Sequence, residues 1–361
     1  MAYDVAVVGG GVIGLAVAWR TAQRGLSVAL VDPDPGSGAS HASAGMLAPV
    51  SEVTYTEEPL LRLGLASLRL WPAFREELEE AGRQSLDHRS DGTLSVAYGP
   101  DDLAYLSDLA DFEQALGLKV ERLTGRECRA YEPMLSPLVR GGLLAGDDAW
   151  VNPRRVVRAL LTAFSGVVVR GRATGLIRAG GAVTGVRTEG AVVAAETVVV
   201  AAGAWSPTLV PELPIRPVKG QILRLRGAPG FLTRCVRGTV HGSPAYLVPR
   251  GDGEITVGAT VEELGFDGRV TAGGVYELLR DARELVPGVT ELELAETTTG
   301  FRPGTPDNLP LIGFTEVKGL YVATGHHRGG VLMAPVTAEA VAAQLAGEGD
   351  GLGPCDPGRF A

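Results

Sequence analysis

The sequence predicts an α/β protein, α+β overall, with one lobe built on a parallel sheet and a second, discontinuous lobe that is mostly antiparallel. Three observations carry that prediction. The first 32 residues read strand, glycine turn, helix, strand, which is a βαβ unit. Near the other end "GLYVATG" is a short β-rich run that leads through "GHHRGG" into the helical stretch "TAEAVAAQLAGE", and midway "TVVVAAGAWS" (197–206) is a strongly apolar strand. Two intervening segments, 85–150 and 216–300, carry shorter mixed patterns instead. The division expected is therefore 1–84, 151–215 and 301–361 for the first lobe, with 85–150 and 216–300 forming the second.

In chain order, "DVAVV" (4–8) is a buried parallel strand, "GGGVIG" a turn, "LAVAWRTAQRG" a helix and "SVALVD" the second strand. A loop rich in Gly, Ser and Ala runs from Pro33 to Pro49. Residues 58–82 have amphipathic helical spacing, and Pro72 is expected to kink or divide that helix. "GTLSVAYG", a helix near 101–116 and "KVERLTG" follow. A helix restarts at Asn152, an N-cap residue, with Pro153 in the first helical position. Short strands with Gly turns lead to 197–202, and strands are expected to dominate 216–300: "GQILRLRG", "AYLVPR", "EITVGAT" and "AETTTGFRPG". The Gly/Pro-rich tail after Gly347 is expected to be loosely held.

At 361 residues the chain exceeds one simple core, and 45% hydrophobic residues can fill two. A net charge of -9 argues against nucleic acid or an anionic membrane as partner. Cys128, Cys235 and Cys355 are odd in number and form no CxxC pair, which fits a reducing compartment without a disulfide frame or zinc site. The apolar N-terminus lacks a basic leader and contains Asp4 and several glycines, so it does not read as a signal peptide. No run of eighteen apolar residues follows. The expectation is a cytoplasmic protein without integral membrane association.

Gly9, Gly11 and Gly14 form G-x-G-x-x-G directly after a strand and at the start of a helix, with Asp32 closing the next strand. That context is the Rossmann-type fingerprint. Gly9 permits the tight turn, Gly11 lets backbone approach a pyrophosphate, and Gly14 lets helix and strand pack closely; Asp32 would bind ribose hydroxyls. The fingerprint alone leaves NAD and FAD open. The strand ending at Gly203 and the small-residue loop "GASHASAGMLAP", suited to lie along a flat ring system, favour a flavin.

The segments "VVGGGVIGLAVAW", "SAGMLAP", "VVVAAGAWS", "GFRPGTPDNLPLIG" and "GHHRGGVLMAP" lie in order over nearly the whole chain. Together they resemble the FAD-dependent D-amino-acid oxidase family, most closely its glycine/sarcosine oxidase branch of the thiamine-pathway type. One departure is Asp32, where the family usually has Glu. The resemblance implies non-covalent FAD held by Val12 and Ile13 at the pyrophosphate, Asp32 and Pro33 at the ribose, and the Thr174 backbone at the adenine. It places Ala39, Ser40, Ala44, Gly45 and Met46 along the flavin, and His326, His327, Arg328, Gly329, Gly330, Val331 and Leu332 at its pyrimidine edge. The helix after that segment would aim its positive end and free N–H groups at the ring. Arg302 would bind the substrate carboxylate, helped by Arg328 and Tyr246.

The implied reaction is oxidative deamination of glycine or another small amine or D-amino acid to an imine and then a 2-oxo acid (glyoxylate from glycine). O2 becomes H2O2, and the product would feed thiamine thiazole synthesis. No side chain is assigned as acid or base; His241, near Tyr246, is the first candidate should one exist. Adjacent His326 and His327 in extended chain would point apart, and His41, His88 and His241 are scattered, so no metal site is expected. Gly300 stands where the monomeric sarcosine type carries its flavin-linking cysteine. The partners implied are a small amino acid and O2, with a homo-oligomer possible. Three readings remain beside this one: an oxidase of sarcosine or other N-methyl amino acids, a D-amino acid dehydrogenase using another acceptor, and a non-catalytic dinucleotide-binding sensor.

Overall fold

The computed structural model describes residues 2–240 and 242–360. Its first sheet has the strand order Leu311–Phe314, Leu320–Thr324, Val192–Val200, Tyr3–Val8, Val28–Val31 and Val167–Val169. Along this path all neighbours are parallel except the first pair, and an antiparallel hairpin, Ala173–Ala179 with Ala182–Thr188, branches from Val192–Val200. Val7, near the end of the central strand Tyr3–Val8, pairs with Val199 on one side and Leu30 on the other. Val5 and Val7 point into a core with Leu15, Trp19, Trp71, Phe74 and Val341, whereas Ala6 and Val8 join Val198, Val200 and Val322 on the opposite face. Both faces are covered, which is why these strands are uniformly apolar.

Helix Glu58–Gly82 is continuous, so Pro72 neither divides nor ends it. Burial of Trp71, Phe74 and Leu78 on the core holds the helix through the lost backbone bond. Helix Pro153–Ala163 begins where expected, with Asn152 accepting from the amides of Arg154 and Arg155. The 33–49 loop is more ordered than its composition suggests. It contains a helical turn, Ala39–Ala42, and a strand, Met46–Leu47, paired with Ala149–Trp150.

The second sheet runs Glu293–Gly304, Arg216–Arg226, Glu254–Gly258, Ser243–Pro249, Cys235–Val240, Thr93–Ala97, Gly141–Ala145 and Glu121–Thr124. Only the Cys235–Val240/Thr93–Ala97 contact is parallel. The strand Glu293–Gly304 passes through residue 300 without a break, which puts Arg302 on this sheet. Strand patterns alone do not account for 216–300, because Ala272–Leu285 is a helix. Its Leu278, Ala282 and Leu285 recur at helical spacing and pack into the second core, and Thr271 caps Gly274 at 3.1 Å. A short helix, Gly125–Tyr131, opens with a capping box between Thr124 and Glu127.

The tail is held, contrary to expectation. Cys355 is 2% exposed, and the Arg359 guanidinium donates to both Asp307 oxygens at 2.9 and 3.0 Å and to the carbonyls of Leu309 and Pro310. Among the described residues no helix is long and apolar enough to cross a membrane.

Candidate functional site

The glycine turn meets its steric demands at atomic distances. A Cβ on Gly9 would lie 2.4 Å from the Ala201 carbonyl oxygen, and one on Gly14 only 1.8 Å from that of Gly9. Gly9 also has φ +113°, a region L side chains avoid. Gly11 differs: a Cβ there would meet only the Ser40 hydroxyl, at 3.4 Å. That hydroxyl accepts from the Val12 amide at 3.0 Å, so the helix end is capped by the 39–42 turn. Among the described residues no protein group accepts from the amides of Gly11 or Ile13. Open space over Gly11, free amides and a helix N-terminus suit a pyrophosphate. Asp32 accepts from the Gly10 amide at 2.6 Å and the Asp34 amide at 2.8 Å; Pro33 follows it at the surface. Thr174 lies on strand Ala173–Ala179, its hydroxyl donating to the Arg187 carbonyl at 3.2 Å.

The 38–46 segment lies between the two sheets. Gly45, at φ +73°, could not carry a Cβ, which would fall 2.2 Å from the Val151 oxygen. Ala44 is tied through its carbonyl to buried Arg250, and Arg224 donates to the His41 carbonyl at 3.0 Å. Met46 Sδ sits 3.8 Å from Cys235 Sγ. A cysteine therefore does lie beside a residue expected along the flavin, although it is far from Gly300 in sequence. Burial pushes its thiol up to about 12, so it is not a thiolate at neutral pH. Gly203, at φ +55°, faces open space.

The "GHHRGG" segment is not extended. His327 has φ +44°, and its amide donates to the Pro303 carbonyl at 3.0 Å. His326 is buried with Nε2 3.0 Å from Thr337 Oγ1, and burial drives its pKa down to about 3. His327 is held down to about 4 by burial and then by the charges of Arg328 and Arg302. Both imidazoles are neutral at pH 7. Free N–H groups are present here, but on the turn and not on the helix. Met333 and Ala334 spend theirs on the carbonyls of Gly329 and Val331, and Val336 spends its own on Ser67 Oγ. Among the described residues the amides of Gly330, Val331 and Leu332 have no protein acceptor. The turn is anchored from behind, since Ser67 Oγ and Trp71 Nε1 both donate to the Leu332 carbonyl, at 2.7 and 2.9 Å.

One face of the second sheet completes the site. Residues paired across strands share a face. The pairs Val218–Arg302, Gly220–Gly300, Ile222–Thr298, Ile222–Gly258, Tyr246–Gly258 and Arg237–Tyr246 thus set Arg302, Tyr246 and Arg237 on one face, with Tyr246 and Arg237 directly opposite each other and Arg302 near enough for its charge to act on Tyr246. Gly300 on that face meets Ala42, to which a Cβ would approach within 2.8 Å, so the face looks onto the 39–42 turn. Two glycines that the sequence did not flag clear the space. A Cβ on Gly220 would lie 2.5 Å from Arg302 Nη1, and one on Gly258 2.3 Å from Tyr246 Oη.

The arginines here differ in their partners. Arg328 pairs with Glu57, Arg237 with Glu52 at 3.2 Å, and Arg224 with Glu254 at 2.6 Å. Arg302 donates to the carbonyls of Thr260 at 3.2 Å and Lys219 at 3.5 Å, and among the described residues no carboxylate pairs with it. Burial pushes the Tyr246 hydroxyl up, opposed by nearby Arg302, so it remains a donor at neutral pH. Glu52 and Glu57 gave no sequence signal; each is only one acidic residue among 42. His241 lies outside the described residues.

A family described as FAD dependent oxidoreductase (DAO) matches residues 4–344. The chain is 35% identical over 355 residues to the bifunctional protein ThiO/ThiG of Trichormus variabilis, covering 95% of this chain and 52% of that one. It thus spans about half the length of the first curated relatives it matches. It is 36% identical to glycine oxidase of Geobacillus kaustophilus over 94% of this chain and 92% of that protein. A crystal structure of Geobacillus kaustophilus glycine oxidase superposes with a TM-score of 0.93 at 34% identity, covering 99% of both chains. With the glycine turn, the open helix end and the facing sheet in place, the chain belongs to the family of FAD-dependent oxidoreductases.

Proposed function

We propose that this chain oxidises glycine and other small amino acids with FAD, yielding the 2-oxo acid, ammonia and H2O2, and that the second sheet is its substrate-binding lobe. The observation that carries this reading is Arg302: a half-buried guanidinium without a carboxylate partner, beside a tyrosine donor, on the face turned to the flavin-type loop. A guanidinium in such a place takes a carboxylate through two charge-assisted bonds. The similar glycine oxidase and ThiO/ThiG chains support glycine as substrate and a role in thiamine synthesis.

FAD would be held by Gly9, Gly11, Val12, Ile13, Gly14 and Asp32 at one end, and by Ala39, Ser40, Ala44, Gly45, Met46, Gly203 and the 326–332 turn at the other. When bound, it supplies the two-electron acceptor that O2 later reoxidises. The chain contributes position and electrostatics. Arg302 and Tyr246 orient the carboxylate and so the adjacent C–H, and the free amides of 330–332 offer fixed donors to a carbonyl or developing anion. Arg328, engaged by Glu57, is not available as a second carboxylate anchor. No residue is given an acid or base role.

Steady-state H2O2 production from glycine, sarcosine and D-alanine tests the reading. Turnover with glycine or D-alanine is expected. Turnover confined to sarcosine points to an N-methyl amino acid oxidase, and reduction of the flavin without peroxide points to a dehydrogenase.

The flavin is expected to be non-covalent. Gly300 has no room for a side chain against Ala42, and burial pushes the Cys128 and Cys355 thiols up to about 11 and that of Cys235 to about 12. Acid precipitation should leave the yellow colour in the supernatant; colour in the pellet contradicts this.

A further inference from the structure

Arg328 and Arg302 are linked through one residue, His327, on which the charges of both act. His327 donates its amide to Pro303, the residue after Arg302, while its Nδ1 lies 3.4 Å from Arg328 Nη1. Two guanidiniums so placed would together accept a ligand with two carboxylates. Arg328 is instead occupied. Both of its terminal nitrogens reach the Glu57 carboxylate, and Nη2 also donates to the Glu52 carbonyl at 3.2 Å.

The pair is well enclosed, with side-chain exposures of 25% for Arg328 and 10% for Glu57. Asn308 Nδ2 donates to Glu57 Oε1 at 2.6 Å and so fixes the carboxylate from the other side. Burial by itself would raise the Glu57 pKa, but the bonds and charge of Arg328, with the Asn308 bond, hold it below the usual range. Glu57 also immediately precedes helix Glu58–Gly82, whose Ser67 and Trp71 grip the turn that carries Arg328. Both partners of the pair are therefore located by the same helix. The Glu52–Arg237 pair repeats the arrangement next to Tyr246 on the sheet.

We infer that Glu57 is a specificity-determining residue: by neutralising Arg328 it leaves Arg302 as the cation open to ligand and limits the site to amino acids with one carboxylate. The inference rests on the assignment of Arg302 as carboxylate anchor. Discrimination here comes from a charge already satisfied, since a second carboxylate must displace Glu57 or be buried beside it. His327, held neutral, does not substitute as a second cation.

The test compares native holoenzyme with Glu57→Gln, which keeps the side-chain volume and an acceptor for Asn308 but removes the charge. Two substrate pairs whose members differ by one added carboxylate are measured: sarcosine against iminodiacetate and D-alanine against D-aspartate. Dissociation constants of the unreactive ligands acetate and malonate are read from the flavin absorbance. The dicarboxylate-to-monocarboxylate ratio of kcat/KM should rise at least tenfold in one pair or both, and malonate should gain on acetate by a similar factor. Glu57→Gln combined with Arg328→Gln should restore the native ratios. Ratios within twofold of native in a flavin-bearing Glu57→Gln protein overturn the inference, as does a rise that survives loss of Arg328. Should Glu57→Gln not fold, Glu57→Asp, whose carboxylate falls one methylene short of Arg328, must shift the ratios in the same direction. If the native chain oxidises none of these amines, the proposed activity fails, and the malonate-to-acetate ratio still decides the role of Glu57.

Discussion

Replacing Arg302 by lysine should lower kcat/KM for glycine by roughly ten- to a hundredfold while FAD stays bound. Lysine keeps the charge but offers a single point donor where the guanidinium offers a planar fork. Loss of one charge-assisted bond costs about 1.5–3 kcal/mol, and each 1.4 kcal/mol or so is tenfold. Glycine has few other handles, so little can compensate. The fork is held in place by the Thr260 and Lys219 carbonyls and by the absence of a side chain at Gly220. Lysine reaches the same region without filling the second bond. Arg302 lies on the second sheet and the glycine turn follows the first strand of the other sheet, so flavin content is the control. Kinetics unchanged with full flavin content would move the carboxylate anchor off this residue.

Glu113→Gln should stabilise the protein at pH 8 and do so progressively less as the pH falls to 5. Glu113 is 2% exposed, and its Oε2 has no hydrogen-bond partner. Burial, and then the charge of Asp148, push it up to about 7. Asp148 is itself pushed up to about 6 by burial, against the amide bonds it accepts from Val50 and Ser51. A carboxyl whose pKa is raised on folding binds more protons in the folded state than in the unfolded chain. Stability is therefore undiminished below the unfolded pKa of 4.5, falls as the pH rises towards about 7, and carries the full penalty above that. The shift from 4.5 to about 7 sets an upper limit of about 3.5 kcal/mol, since one pKa unit is roughly 1.4 kcal/mol. Glutamine removes the ionisation but keeps a buried polar head, so the gain will be smaller than the limit. Melting temperatures of the two proteins at pH 5 and pH 8 supply the check. A difference that is the same at both pH values defeats the explanation.

Several features were readable without coordinates because each is governed by neighbours along the chain. The turn at Gly9–Gly14 needs bare positions at its two ends, where a Cβ on Gly9 or Gly14 would collide with backbone, while Gly11 stays open for a ligand. Asn152 and Pro153 start a helix through bonds to amides two and three residues away. The helix Ala272–Leu285 was equally local in its spacing, but strand-like runs on either side obscured it. The tail misled for the opposite reason. Its composition is that of a loose segment, and distant groups tie it down: Arg359 reaches Asp307 and the carbonyls of Leu309 and Pro310.

The sequence by itself determined the family, the two-lobed α/β design, the strand–turn–helix that can take a pyrophosphate, and the arginine suited to a carboxylate. The family and the arginine's expected role came from the resemblance of ordered motifs, and the rest follows from local sterics and residue chemistry. Tertiary structure alone decided which arginine is free. Arg328 meets Glu57 across 271 positions and Arg302 meets no carboxylate among the described residues, a distinction that exists only once the two sheets close on the segment between them. It likewise decided that Gly220 and Gly258 are clearances and that Glu113 and Asp148 share a buried site. A side chain's charge is a property of its type, but whether that charge is satisfied depends on the groups that non-local packing brings within a few ångströms.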